Sequence, residues 1–162
     1  MIASGQTIKE LNIFTPFNER TRHNGLTYGV GPAGYDVTVE FDEDGSTDHI
    51  IMMPGAFALA STIEHFTMPK NLLGVVHDKS TWARKGLTVQ NTVIEPGWCG
   101  YLTLELVNHN QNQMLKLRRG DPIAQIIFHF LDKPASVAYD GKYQNQKRGP
   151  VQAIFEPGSY LP

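Results

Sequence analysis

Helical periodicity is nearly absent from this chain; short apolar runs recur instead, each ended by residues that turn the backbone. The runs are Y-D-V-T-V-E-F (35–41), H-I-I-M-M (49–53), A-F-A-L-A-S-T (56–62), N-L-L-G-V-V (71–76), L-T-V-Q (87–90), Y-L-T-L-E-L-V (101–107), M-L-K-L (114–117) and I-A-Q-I-I-F-H-F-L (123–131). Between them stand E-D-G-S, M-P-G, M-P-K-N, E-P-G-W, R-R-G-D-P and D-K-P. Glycine admits positive φ, and proline fixes φ while removing a donor, so such clusters stop strands. Many short strands spaced in this way predict a mainly β domain: an antiparallel sandwich, jelly roll or distorted barrel, with one or two short helices. A helix is expected at S-T-W-A-R-K-G (80–86), with Ser80 or Thr81 as its cap and Gly86 as its stop. Helical spacing puts Ser80 and Arg84 on one side of it.

The run from Ile94 to Asn108 holds the most informative residue, Glu105. Pro96, Gly97 and Gly100 mark a turn; then Leu102, Leu104 and Leu106 fall on one strand face, and Tyr101, Thr103, Glu105 and Val107 on the other. A carboxylate in mid-strand is either solvated or costly, because burying an unpaired charge costs several kcal/mol in order-of-magnitude terms. Two readings follow: a solvated strand face, or a general acid/base on the floor of a pocket.

At 162 residues the chain suits one domain, 1–162, with a proper core. Hydrophobic residues make up 41% and charged residues 19%, the composition of an ordinary soluble protein. A net charge of −2 argues against nonspecific binding to nucleic acid. No apolar run approaches membrane-spanning length and the N-terminus lacks a signal-peptide layout, so a cytoplasmic protein is expected, in host cytoplasm if the source is viral. Cys99 is the single cysteine, which removes disulfides and any cysteine-based zinc site. The six histidines show no metal-ligand spacing, and the His-x-Glu with Pro-Cys-x-x-Cys layout of zinc nucleobase deaminases is absent. No protein-held metal is expected.

Three constellations carry chemistry. D-K-S-T-W-A-R (78–84) offers two hydroxyls and Lys79 at a helix start, either an anion cradle or a capped surface helix. Glu95 and Glu105 are separated by ten residues of turn and strand and need not meet. The tail from about Ala135 combines Tyr139, Lys142, Tyr143, Gln146, Lys147 and Arg148, which suits a nucleotide or polyphosphate; a disordered charged tail is the alternative. Such a segment is often ordered only by a ligand or a neighbouring subunit.

Read in order, G-Y-D-V (34–37), M-P-G-A-F-A-L-A (53–60), M-P-K-N-L-L-G (68–74), K-S-T-W-A-R-K-G-L (79–87), I-E-P-G-W-C-G-Y-L-T-L-E-L-V-N (94–108), G-D-P-I-A-Q-I-I-F (120–128) and Y-D-G-K-Y-Q-N-Q (139–146) resemble the dCTP deaminase family, which shares its fold with trimeric dUTPases. The resemblance implies a homotrimer of distorted β-barrels with active sites between subunits. It implies zinc-independent deamination of dCTP to dUTP and ammonia, with Glu105 handling protons while Ser80 and Arg84 place the water and orient the carboxylate. Lys79 and Thr81 stand at the triphosphate-contact positions, where the family more often has Arg and Ser. Asn91 and Thr92 lie in the loop that lines the base pocket, and Tyr139, Lys142 and Gln146 match tail residues that close over base and phosphates. The tail, about 135–162, is expected to close over the active site. Magnesium would ride on the substrate triphosphate.

The stretch from Arg84 to Glu95 is about two residues shorter than in typical dCTP deaminases and nearer to dUTPase spacing. Glu95 stands where dUTPases place the Asp that activates water for phosphate-ester hydrolysis. A bifunctional enzyme ending at dUMP and diphosphate is therefore the alternative, and a non-catalytic nucleotide-binding trimer is the third. Glu105 is the residue expected to carry deamination; Glu95 marks where a second, phosphate-cleaving activity would arise.

Overall fold

A computed structural model describes residues 1–155. Twelve strands and two short helices make up its named elements. They are α1 (Gly5–Glu10), β1 (Phe14–Thr15), β2 (Thr21–His23), β3 (Leu26–Gly31), β4 (Gly34–Glu40), β5 (His49–Met52), β6 (Phe57–Thr67), β7 (Leu72–Asp78), α2 (Ser80–Ala83), β8 (Leu87–Val89), β9 (Val93–Ile94), β10 (Cys99–Asn108), β11 (Leu115–Arg118) and β12 (Pro122–Phe130). The order β8-β10-β6-β4-β12-β7-β9 forms one curled antiparallel sheet, with β3 on β4, β2 on β3 and β1 on β6. A separate ribbon pairs β11 with β5. This is the expected mainly β, distorted-barrel architecture.

Closure depends on β4, which pairs through Tyr35–Thr38 with β12 and then through Val39 and Glu40 with β6. Its alternate side chains line a core of Tyr35, Val37 and Val39, all fully buried. Phe14 stacks on Tyr35 with centroids 3.9 Å apart and meets Phe66 edge-on at 4.8 Å, so β1, β4 and β6 converge on one aromatic cluster. On β10, Leu104 and Leu106 face the same interior, and burying each stabilises by roughly 1.5–3 kcal/mol. The β10–β6 register slips between Tyr101 and Thr103, opposite β6 residues 62–64. There Thr62 Oγ1 accepts from the Leu102 N–H at 3.0 Å, which satisfies a donor the ladder abandons.

The expected helix forms as α2, but its cap position is Lys79, whose side chain makes no capping bond. Ser80 and Thr81 are instead exposed inside the turn, and Arg84 closes it by donating its N–H to Ser80 O. Burial explains the arrangement: Trp82 points into the core and donates Nε1–H to Pro122 O at 2.8 Å, fixing which residues face out.

β6 also buries Glu64, which accepts hydrogen bonds from Thr38 N–H and Thr38 Oγ1–H, both at 3.0 Å. Burial pushes its carboxyl up from 4.5 to about 7, against the opposing hydrogen bonds from Thr38. The folded state thus holds this proton more tightly than the unfolded chain does. Stability contributed by the protonated form is complete at low pH and declines as pH rises from about 4.5 through 7, a loss of about 3 kcal/mol. Glu64→Gln keeps the shape and can satisfy both Thr38 groups. Thermal melts from pH 5 to 8 should fall in the wild type and run nearly flat in this variant; equal slopes would contradict the assignment.

Candidate active site

Where β10 leaves the β6 register, its outward face forms the floor of a cavity of about 440 Å³. Thr103 and Glu105 rise from that floor, with Leu102 beside them because of the register slip. Phe57 and Leu59 of β6 form one wall; Thr92, Val93, Ile94 and Glu95 around β9 form another, with Trp98 at the turn. Tyr139, Tyr143, Gln146 and residues 151–153 of the tail form the last. Most of this lining is aromatic or aliphatic, a surface suited to a planar base.

Glu105 is half-buried there, and burial raises its carboxyl above the ordinary value of 4.5. Its Oε2 is buried and has no hydrogen-bond partner among the described residues. A carboxylate oxygen in that condition is costly unless it serves a ligand or carries a proton. Glu95, exposed, lines the same cavity, so the turn and strand between the two glutamates bring both to one space.

The tail reaches the cavity through backbone pairing. Tyr139 N–H donates to Pro96 O, Asn145 N–H to Cys99 O and Tyr101 N–H to Gln146 O. Trp98 Nε1–H donates to Tyr143 O at 2.6 Å. Gly100, at φ +142, permits the crossing: a Cβ there would lie 2.7 Å from Gln146 N. The tail is therefore seated on its own chain through Gln146 and again at Val151, whose N–H donates to Thr103 Oγ1; positions 156–162 of the expected closing segment lie outside the described residues.

α2 stands apart from this cavity. Ser80, Thr81 and Arg84 are exposed and none of them lines it. Lys79 turns the other way: its Nζ lies 2.7 Å from Asp36 Oδ2, with the two side chains 9% and 13% exposed. Asp36 also accepts from Gln125 Nε2, so Lys79 ties α2 to β4 and β12. Breaking a buried pair leaves its partner uncompensated, so Lys79→Met should cost about 3 kcal/mol in urea unfolding. Unchanged stability with a raised KM would favour a phosphate contact instead.

Among the other expected residues, Thr92, Tyr139 and Gln146 line the cavity. Asn91 and Lys142 are exposed outside its lining, with Lys142 Nζ donating to Ile154 O and lying 5.4 Å from the Tyr143 ring centroid. Thr103 and Trp98 go beyond the residues expected from sequence, whereas Tyr143 belongs to the tail cluster expected to suit a nucleotide. The period-2 alternation through Glu105 already put Thr103 on the right face, whereas nothing local marks Trp98 as a cavity wall. Among the described residues, no group of three or more His, Cys, Asp or Glu is arranged to hold a metal, and no helix is long and apolar enough to cross a membrane.

Residues 10–131 match the family model described as dCTP deaminase-like. The chain is 37% identical to a dCTP deaminase of Campylobacter concisus, over 85% of this chain and 88% of that one. It is 36% identical to a dCTP deaminase of Campylobacter hominis, over 93% and 92%. Among solved structures, a dCTP deaminase from Agrobacterium tumefaciens superposes with a TM-score of 0.62 at 16% identity, covering 80% of this chain and 47% of that chain. The EIAV dUTPase superposes with a TM-score of 0.52 at 23% identity, covering 67% and 84%. These structural likenesses show the fold. With the family model spanning most of the chain and relatives above 30% identity over more than four-fifths of it, this protein belongs to the dCTP deaminase-like family.

Proposed function

We propose that this protein deaminates dCTP to dUTP and ammonia, with Glu105 as the general acid/base. The observation that carries this reading is the unpartnered Oε2 of a half-buried Glu105 in an aromatic-walled cavity. In the proposed reaction, water at C4 of cytosine gives a proton to Glu105 as its oxygen adds to the ring. Glu105 passes that proton to N3, then takes the remaining proton from the C4 hydroxyl and delivers it to the amine; C4=O forms, the C4–N bond breaks and ammonia leaves. A carboxyl raised toward neutrality can both take and give in this way.

Ser80 and Arg84 would act from a neighbouring copy, since both are exposed on α2 and neither lines this chain's own cavity. In a homotrimer with shared sites that face would place the water and steady the Glu105 carboxylate, with Thr81 toward the phosphates. Thr92 and Asn91 would border the base, and Tyr139, Gln146 and Lys142 would secure the nucleotide. Lys79 would serve by holding α2 in position through Asp36. Magnesium would arrive with the triphosphate as part of the substrate and supply charge neutralisation to its oxygens.

A second reading, a deaminase that continues to dUMP and diphosphate, is favoured by Glu95 sharing the cavity with Glu105. In-line attack on phosphorus depends on where that carboxylate holds water, and Glu is one methylene longer than Asp. Parallel incubations with dCTP, dCMP and dUTP separate the readings. Accumulating dUTP with ammonia supports the first; dUMP with diphosphate supports the second; turnover of none of the three defeats both.

A further inference from the structure

Arg148 leaves the tail to reach Glu40 at the end of β4, its guanidinium NH2 lying 2.6 Å from Glu40 Oε2. Glu40 is fully buried and already holds another cation: Arg119 Nε lies 3.1 and 2.9 Å from its two oxygens. The Phe41 N–H donates to Oε1 as well. A buried carboxylate stripped of its cation is strongly destabilised. With Arg119 in place, Glu40 stays paired whether or not Arg148 is present. Arg148 is therefore the removable partner, and its departure orphans no buried charge.

The closed arrangement is not fully satisfied either. Arg148 Nε is buried without a partner among the described residues, while the side chain as a whole remains 35% exposed. Just beyond it, Gly149 at φ +88 packs on the backbone of the loop after β4, where a Cβ would come within 2.9 Å of Glu43 N. Val151 N–H then donates to Thr103 Oγ1 at 3.0 Å, two residues before Glu105 on β10. These fixings seat Val151, Gln152 and Ala153 as a cavity wall.

We infer that Glu40 and Arg148 are positioning residues: a two-cation anchor on β4 whose tail-borne member latches the wall of the cavity around a bound nucleotide. Arg119 keeps the anchor intact when the latch is open. The latch governs retention of the nucleotide, and the chemical step at Glu105 proceeds with or without it. The kinetic consequence rests on the deaminase reading; the structural consequence does not.

The test uses full-length Arg148→Ala, with Arg148→Lys as the conservative variant, because Glu40→Gln disturbs the core as well. Hydrogen exchange should quicken about tenfold or more at the Val151 amide, which donates to Thr103 Oγ1, with exchange in the barrel strands and the melting temperature unchanged. KM for dCTP should rise about tenfold while kcat changes less than about twofold, and Arg148→Lys should recover most of both effects. Wild-type exchange at the Val151 amide in the alanine variant would overturn the latch whatever the enzyme does. So would a fall in kcat at unchanged KM, which would place Arg148 in the chemical step. If the wild type itself fails to deaminate, the exchange measurement still decides the latch, so the two readings fail separately.

Discussion

Glu105→Gln should lower ammonia release from dCTP by about a thousandfold while leaving nucleotide affinity within a factor of a few. Gln has the volume of Glu and the same strand backbone, so the cavity walls stay as they are. What disappears is the ability to take a proton from water and pass it on. Because Oε2 has no partner among the described residues, the substitution breaks no internal bond at that atom. In the wild type, burial raises the Glu105 carboxyl, so the acid limb of kcat/KM should lie above the pH of an ordinary glutamate near 4.5. Steady-state ammonia assays and equilibrium binding of dCTP check both halves. Substantial turnover by the variant would remove Glu105 from the proposed role.

Mixing two inactive variants should restore activity. Glu105 lies in a cavity of its own chain, whereas Ser80 and Arg84 stand on an exposed helix face outside that cavity. If sites form between copies, Glu105→Gln subunits still offer a sound α2, and Arg84→Ala subunits still offer a sound Glu105. Random reassembly should yield about a quarter of the wild-type specific activity, since half the cavities and half the helices are intact in any pairing. The comparison is made after mixing under mild denaturation and refolding, against each variant treated alone. Recovery no greater than the sum of the parts would mean that the helix and the carboxylate do not meet across an interface.

Much of the β architecture was legible because strand period and turn chemistry are local. The alternation from Tyr101 to Val107 put Glu105 opposite the leucines that pack inside, and Gly and Pro clusters marked most strand ends. β6 was harder. Its run reads as ending near Thr62, yet the strand continues to Thr67 through Glu64 and His65. Glu64 hides the strand because its compensation comes from Thr38, distant in sequence, which no local pattern reveals. Lys79 gives the same lesson at the site. A cation beside two hydroxyls reads as a phosphate contact, and its ion pair with Asp36, 43 positions away, is invisible to that reading. The tail looks too polar to pack, but it docks through backbone hydrogen bonds to β10 and one buried ion pair. Composition records neither.

In the proposed reaction water attacks the base, at C4, in the cavity around Glu105. Turnover of dCTP in water labelled with heavy oxygen, followed by mass analysis of the products, tests it most directly. One labelled oxygen on the uracil ring, matched by one ammonia per nucleotide, is the predicted result. Label confined to phosphate, with cytosine left intact, would contradict it.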